Sequence, residues 1–286
     1  MTMNTNLSHP CSASDLSDLI IVRGGGDLAT GTIHKLYRCG FPVLILETGT
    51  PSAIRRNVSF SEAVYTGEQT VEGVACTRAE SLEHALALLR AHALPLLVDP
   101  EGACIAQLSP LAVVDAILAK RNLGTHRAMA PVTVALGPGF VAGQDVHAVV
   151  ETKRGHHLGR VILSGSAAEN TGVPGVIAGY GKERVIHSPA DGVLRNVRAI
   201  TDTVQKGEGS AVVEGSNGTT PVYATLDGLR RGLIRDGYPV TKGFKIADID
   251  PRTEEYNNCF TISDKARCIA GGVLEAILHL RSIPRA

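Results

Sequence analysis

The sequence predicts an α/β protein in which a doubly wound parallel sheet is followed by a β-rich region and a C-terminal helix. Apolar runs alternate with stretches of helical periodicity over the first half of the chain. From Pro131 onwards, short β-type runs are broken by glycines. A stretch that begins near residue 190 then repeats 36 positions later without a gap. Alternating strands and helices are typical of a parallel sheet, whereas short runs between turns are typical of antiparallel sheets.

Residues 18–130 are predicted to form a Rossmann-like domain that binds a nucleotide or cofactor. Residues 19–22 are continuously apolar, as in a strand that is buried on both faces of a parallel sheet. A helical pattern follows and ends at Gly40, and residues 41–47 form the next strand. Because ligands of such sheets bind at the carboxyl ends of the strands, the candidate site is expected there.

A glycine loop joins the first predicted strand to the first helix. Gly24, Gly26 and Ala29 fit the pattern G-x-G-x-x-A, and Glu47 stands where an acid commonly binds a ribose hydroxyl. The loop therefore predicts a backbone cradle for a nucleotide-like ligand. The alternative is a bare turn in which Asp27 caps the helix. The residues of the predicted cradle are Gly24, Gly25, Gly26, Asp27, Leu28, Ala29 and Thr30.

Polar side chains near the ends of other predicted strands extend the candidate site. Asp99 ends one strand, and Lys120 and Asn122 follow another. A solvated basic helix end is the alternative for Lys120, since the helix dipole favours cations there. Arg55 and Arg56 can clamp a phosphate bidentately, or they can simply face water. These residues are included in the predicted cofactor-binding site.

Residues 131–258 are predicted to form a β-rich domain. Its first strand ends in a turn that contains Gly137 and Gly139, and both glycines are included in the candidate site. Residues 190–215 and 226–251 form the duplicated unit. Because one copy is too small to bury a core, we expect the two copies to interlock.

The duplication resembles the barrel-sandwich fold of biotinyl and lipoyl domains, in which a lysine between the repeats carries the cofactor. Asn217 occupies that position in this sequence. We therefore expect no covalent biotin or lipoate. A docking surface or a cover over the ligand is the expected role of this domain.

Residues 259–286 are predicted to form a loop and a helix that packs back against the first domain. Apolar residues recur at helical spacing after Asp264. Cys259 lies in the polar loop ahead of this helix, where the helix dipole lowers the pKa of a thiol and makes it nucleophilic. Cys259 is the candidate catalytic residue, and an inert thiol is the alternative.

Composition restricts the classes of partner. Lys plus Arg equal Asp plus Glu at 28 each, so no global field attracts nucleic acid or an acidic membrane. The histidines lack the spacing of a metal site, and no metal is expected. No apolar run is long enough to span a membrane, and the cysteines are dispersed, so a cytoplasmic location is expected. Residues 1–17 are predicted to be a disordered leader.

Several long motifs resemble a known family over residues 19–281. The segments "VRGGGDLATG", "VVDAILAKRNLGT" and "CFTISDKARCIAGGVLEA" are similar to the YqeB-type accessory family of selenium-dependent molybdenum hydroxylases. The resemblance implies a maturation factor that acts where the molybdenum centre of a xanthine dehydrogenase-related enzyme receives selenium or sulfur. It implies a molybdopterin-type cofactor or a nucleotide as ligand. The implied partners are the hydroxylase apo-enzyme and a selenium or sulfur donor protein.

Three functions stay open on the sequence. The first is the maturation factor, in which Cys259 either carries a chalcogen or takes no part in chemistry. The second is an NAD(P)-dependent oxidoreductase, for which the predicted Rossmann-like domain offers no Tyr-x-x-x-Lys arrangement to transfer a proton. The third is a noncatalytic docking protein. The sequence leaves open whether the protein is an enzyme and whether it forms a homo-oligomer.

Overall fold

The computed structural model describes residues 16–170, 172, 175–216 and 218–283. The helices are α1 (Asp27–Arg38), α2 (Ala63–Thr66), α3 (Leu82–Arg90), α4 (Cys104–Leu108) and α5 (Asp264–Ser282). The strands of the first half are β1 (Ile20–Arg23), β2 (Val43–Glu47), β3 (Glu68–Val71), β4 (Val74–Ala79), β5 (Leu94–Val98) and β6 (Ala112–Asp115).

The second half contains thirteen strands among the described residues. They are β7 (Val132–Leu136), β8 (Val141–Ala142), β9 (Ala148–Val150), β10 (Val161–Ile162), β11 (Gly165–Ser166), β12 (Val185–His187), β13 (Gly192–Asn196), β14 (Thr203–Val204), β15 (Gly209–Gly215), β16 (Gly218–Tyr223), β17 (Gly228–Leu233), β18 (Pro239–Val240) and β19 (Lys245–Asp250).

A nine-stranded sheet in the order β10-β9-β7-β6-β1-β2-β5-β4-β3 forms the centre of the molecule. Its inner strands are parallel, and β1 pairs with β2 on one side and with β6 on the other. After β1 the chain places β2 on one side of it and, later, β6 on the other side. This reversal creates a crevice at the carboxyl ends of β1 and β6, where ligands of open α/β sheets bind.

Helices cover both faces of the large sheet. Residues of α1 and α5 share one apolar core with the strands, and residues of α3 and α4 belong to the core of the other face. Two glycines allow close packing around α5. A Cβ on Gly31 of α1 would lie 2.7 Å from the Cβ of Ala266, and a Cβ on Gly272 would overlap the carbonyl oxygen of Gly159.

The remaining strands form three small antiparallel sheets. β8 pairs with β11, and the two four-stranded sheets have the orders β12-β19-β17-β14 and β16-β15-β13-β18. The duplicated units exchange strands, since β14 of the first copy pairs with β17 and β18 of the second copy pairs with β13. Asp191 accepts a hydrogen bond from the Lys242 amide, and Asp227 accepts one from the Lys206 amide, each at 2.6 Å. The two copies thus support each other reciprocally.

The predicted fold class is wrong. The large sheet is mixed, because β3 and β10 are antiparallel to their neighbours at its two edges. The second half does not make a separate biotinyl/lipoyl-like barrel-sandwich domain, because β7, β9 and β10 extend the large sheet. Short apolar runs between glycine turns suit a sheet edge as well as a sandwich, and a sequence pattern does not say which strands become neighbours.

Two expectations concern residues outside the described part of the chain. Residues 1–15 of the predicted leader lie there, and so does Asn217, which occupies the position of a carrier lysine. Within the described part, no helix combines the length and the apolar character that crossing a membrane requires.

Candidate functional site

The glycine loop is packed between two segments of the protein itself. Gly24 has a φ of +97°, and a Cβ there would lie 2.9 Å from the carbonyl oxygen of Ala116. A Cβ on Gly25 would lie 2.9 Å from the amide nitrogen of Ser61. No atom lies within 4 Å of the Cβ position of Gly26. Two of the three glycines are therefore required by the protein's own backbone, and Gly26 borders open space.

Glu47 holds the glycine loop. Its Oε2 accepts a hydrogen bond from the Gly25 amide at 2.7 Å, and its Oε1 accepts one from the Thr48 amide at 2.8 Å. Burial raises the pKa of the Glu47 carboxyl. The acid at the end of β2 thus has a structural role, and its contact with a ribose stays a prediction.

The first turn of α1 places the other residues of the predicted cradle. Gly26 is the N-cap, and no side chain caps the helix there, so Asp27 does not act as the cap. Asp27 instead lies 3.7 Å from Arg55 Nη1 in an ion pair. Leu28 and Ala29 pack into the core, and the Thr30 hydroxyl accepts a hydrogen bond from the Phe60 amide at 2.9 Å.

Arg55 and Arg56 both donate hydrogen bonds within the protein. Nη2 of Arg55 donates to the Asn258 carbonyl at 2.8 Å, and Nε of Arg56 donates to the Leu233 carbonyl at 2.8 Å. The contact of Arg55 and Arg56 with a phosphate stays a prediction, and part of the donor set of each guanidinium is already used within the protein. The two arginines connect the α/β part to the β-rich part, because their acceptors lie far along the chain.

Asp99 and Asn122 shape two loops, and Lys120 is exposed. The Asp99 carboxylate accepts hydrogen bonds from the Ala103 and Cys104 amides at the start of α4, both at 3.0 Å. The Asn122 side chain accepts one from the Thr125 amide at 2.9 Å. The ligand contacts predicted for these three residues stay predictions.

A cavity of about 350 Å³ lies at the carboxyl ends of β1 and β2, beside the loops that follow β5 and β6, and we call it the switch-point cavity. It brings together Gly24 and Glu47 from the predicted site, whereas the rest of its lining was not predicted. Its lining residues are Arg23, Gly24, Leu46, Glu47, Thr48, Pro100, Glu101, Ile117 and Leu123.

Arg23 is the lining residue that sequence reasoning missed. It ends β1, is 2% exposed, and donates to Thr125 Oγ1 at 2.6 Å and to the Pro100 carbonyl at 2.9 Å. Its Nε has no hydrogen-bond partner among the described residues. Asp115 accepts a hydrogen bond from the Thr125 hydroxyl at 2.6 Å, and burial raises the pKa of this acid. The sequence did contain a signal for this residue, because Arg23 directly follows the continuously apolar run of residues 19–22.

The turn after β7 contains the two remaining predicted glycines. Gly137 has a φ of +73° and packs against Thr152, and Gly139 has a φ of +109° and packs against the backbone of Arg121. The proline between them lines a second cavity of about 370 Å³, which we call the basic cavity. Its lining residues are Pro138, Thr152, Lys153, Arg154, Ala168, Glu169, Asn170, Gly175 and Lys265.

Cys259 is buried in the core of the β-rich part and is 1% exposed. The expectation of a lowered pKa is wrong, because burial raises the pKa of this thiol more than the charges of Arg231 and Arg55 lower it. A chemical role of Cys259 stays a prediction. Among the described residues, no group of three or more His, Cys, Asp or Glu side chains is arranged to hold a metal ion.

Comparisons with solved structures give distant neighbours of desuccinylase and aspartoacylase type. They are the product-bound ectoine utilization protein EutE (DoeB) from Ruegeria pomeroyi (11% identity, TM-score 0.27, 82% of this chain and 85% of that chain), an aspartoacylase family protein from Mesorhizobium loti (13%, 0.27, 81% and 84%) and a succinylglutamate desuccinylase/aspartoacylase from Rhodobacter sphaeroides (11%, 0.27, 82% and 85%). At such TM-scores the likeness supports no statement about function.

The sequence comparison is more specific. No family model matches the chain. The chain is 50% identical over 274 residues to the uncharacterized protein YqeB of Escherichia coli (strain K12), and the match covers 96% of this chain and 49% of YqeB. The chain thus spans about half the length of this curated relative, and the identity over that span supports placing it in the YqeB-type family.

Proposed function

We propose that the chain is an accessory protein that binds a molybdopterin-type cofactor or a nucleotide during the maturation of a xanthine dehydrogenase-related molybdenum hydroxylase. The observation that carries the proposal is the switch-point cavity, which the buried Arg23 lines at the end of β1. A hydrogen bond from a guanidinium that is shielded from water is strengthened by the low local dielectric, so an acceptor on a ligand in this cavity would be favoured.

The lining of the cavity fits a flat polar ring. Its volume of about 350 Å³ is within the range of small-molecule sites. Leu46, Ile117 and Leu123 provide apolar surface, and Glu47 and Glu101 provide carboxylates. A pterin or a nucleobase has apolar faces and an edge that carries both donors and acceptors. Arg23 would donate to an acceptor of that edge, and a carboxylate would accept from an N–H group.

The oxidoreductase alternative has less support. Residues 18–130 contain no Tyr-x-x-x-Lys arrangement that could transfer a proton beside a nicotinamide ring.

The maturation role is supported by the YqeB-type motifs and by the 50% identity to YqeB. Its partners would be the hydroxylase apo-enzyme and a selenium or sulfur donor protein. The burial of Cys259 favours the version of this role in which the protein binds the cofactor and performs no chalcogen transfer.

Binding experiments test the proposal directly. The purified full chain is analysed by mass spectrometry and absorbance for a bound pterin or nucleotide. It is then titrated separately with molybdopterin cytosine dinucleotide and with NADPH in a calorimeter. Binding of the dinucleotide supports the proposal. Tight binding of NADPH alone would favour the oxidoreductase, and binding of neither ligand would favour a docking protein.

A fluorescence experiment locates the ligand. The chain contains no tryptophan, so Leu123→Trp introduces a single fluorophore at the switch-point cavity. We expect the dinucleotide to quench this variant or to bind it more weakly than the wild type. Val197→Trp is the matched control, because Val197 is 64% exposed and does not line the cavity. Unchanged affinity without quenching in Leu123→Trp would place the ligand elsewhere.

A further inference from the structure

The basic cavity lies beyond the carboxyl ends of β7 and β9. Pro138 reaches it from the turn after β7, and Lys153 and Arg154 reach it from the loop after β9. Lys265 comes from the first turn of α5. The tertiary fold thus brings three cationic side chains from two distant parts of the chain into one cavity. Glu169 is the only carboxylate among the described residues that line it.

Lys265 is held in an environment that disfavours its charge. Burial lowers the pKa of its ammonium group, and the nearby Arg154 lowers it further. The N-terminus of a helix carries a partial positive charge, so a cation in the first turn of α5 is repelled by the helix dipole. Among the described residues, no side chain forms a hydrogen bond or an ion pair with the Lys265 ammonium. An anion in the cavity would offset the repulsion of the Lys265 ammonium by Arg154 and by the helix dipole.

The neighbouring acids are engaged elsewhere. The carboxylate of Asp264 accepts two hydrogen bonds from Arg154, at 2.6 and 2.9 Å. Glu151 accepts hydrogen bonds from the Lys153 and Ala168 amides at 2.7 and 2.8 Å. Asp27 pairs with Arg55. These acids attract Lys265 at longer range, but none of them makes a direct contact with it.

We propose that the basic cavity is a binding site for a phosphate group, either free phosphate or the phosphate of a small molecule. The ammonium groups of Lys153 and Lys265 donate to its oxygens, and the side chains of Thr152 and Asn170 supply neutral hydrogen bonds. Ammonium groups serve as point charges in many phosphate sites. The site is independent of the proposed function, because the basic cavity and the switch-point cavity share no lining residue.

Calorimetry of the full chain with inorganic phosphate and, separately, with cytidine monophosphate tests the site. We expect Lys153→Gln/Lys265→Gln to bind whichever probe is preferred at least about tenfold more weakly than the wild type, a loss equivalent to about 1.4 kcal/mol. The matched control is Lys206→Gln/Lys242→Gln, which removes two exposed cations that do not line the cavity. Preference for phosphate indicates the free ion, and preference for the nucleotide indicates a phosphorylated ligand. Equal losses in both double variants, or no binding of either probe to the wild type, would overturn the proposal.

A labelling experiment on the wild type avoids any dependence on how the variants fold. An amine-reactive reagent is added with and without the preferred probe, and modified lysines are quantified by mass spectrometry. We expect the probe to slow the modification of Lys153 and Lys265 at least about threefold and to leave Lys206 and Lys242 unchanged, since protection scales with occupancy. Equal protection of all four lysines would contradict a site in the basic cavity.

Discussion

The carboxylate of Glu47 accepts a hydrogen bond from the Gly25 amide at 2.7 Å, and this contact joins the end of β2 to the glycine loop. The contact holds the loop with the same acid that the sequence predicts to bind a ribose hydroxyl. It also keeps Gly25 in place beside Ser61.

Replacement of Glu47 by Ala is expected to lower the free energy of unfolding by about 1–3 kcal/mol, since it leaves a partly buried amide without its acceptor. Glu47→Gln should lose less, because the amide oxygen can still accept from one N–H group. Urea unfolding measures both changes. Glu101→Ala is the control, since Glu101 lines the same cavity but is exposed. An equal loss in Glu101→Ala would contradict the structural role of Glu47.

The two adjacent glycines of α5 should respond in opposite directions to Ala. Gly272→Ala should destabilise the protein by about 1–3 kcal/mol, because its Cβ would overlap the Gly159 carbonyl and force the helix to shift. Gly271→Ala should stabilise it by up to about 1 kcal/mol, because Ala has the higher helix propensity and the nearest atom lies 3.9 Å away. Thermal or urea unfolding of both variants checks the sign. Equal effects would show that α5 does not pack this closely.

The Arg154 guanidinium lowers the pKa of the Asp264 carboxyl to about 2. Because the folded pKa is depressed, the pair stabilises the fold above the ordinary pKa of 3.8, and this contribution is lost as the pH falls towards 2. Both side chains are exposed, so we expect less than about 1 kcal/mol. NMR titration should show the pKa of Asp264 returning towards 3.8 in Arg154→Met. An unchanged pKa in that variant would contradict the assigned cause.

The reciprocal contacts of the duplicated units should contribute equally to stability. Asp191→Ala and Asp227→Ala are each expected to lower the free energy of unfolding by about 1 kcal/mol, because each removes the acceptor of one backbone amide in the other copy. The Asn replacements keep an acceptor oxygen and should cost less. A large effect of one Asp and none of the other would show that the pseudo-symmetry does not extend to energetics.

Cys259 should react as slowly in the native protein as the other buried thiols, Cys76 and Cys104. Its side chain is buried and its pKa is raised, whereas Cys39 and Cys268 are exposed. A thiol reagent at neutral pH should modify Cys39 and Cys268 first, and Cys259 only after unfolding, because the reactive thiolate is scarce at a buried site. Peptide mass mapping identifies the modified residues. Rapid native modification of Cys259 would restore the chalcogen-carrier hypothesis.

Local patterns were sufficient for the elements around the opening loop. The apolar run of β1, the glycines and the periodicity of α1 each depend on neighbours a few residues apart, so they are visible in the sequence. The duplicated unit was also visible in the sequence, because its two copies align without a gap and can be compared position by position. The pairing of β7, β9 and β10 with the large sheet was not visible, because every strand face with apolar residues can in principle pair with several others.

The site depended on contacts that no local pattern contains. The sequence by itself determined that β1 ends in an arginine followed by glycines, and that Lys265 begins a helix. Only the tertiary structure decided that Arg55 bonds a carbonyl 203 positions away and that Arg23 lines a cavity with an unpaired Nε. It also decided that Lys153 and Lys265 share a cavity. The physical reason is that hydrogen-bond partners and local charge density depend on which distant segments meet, whereas residue type and periodicity do not.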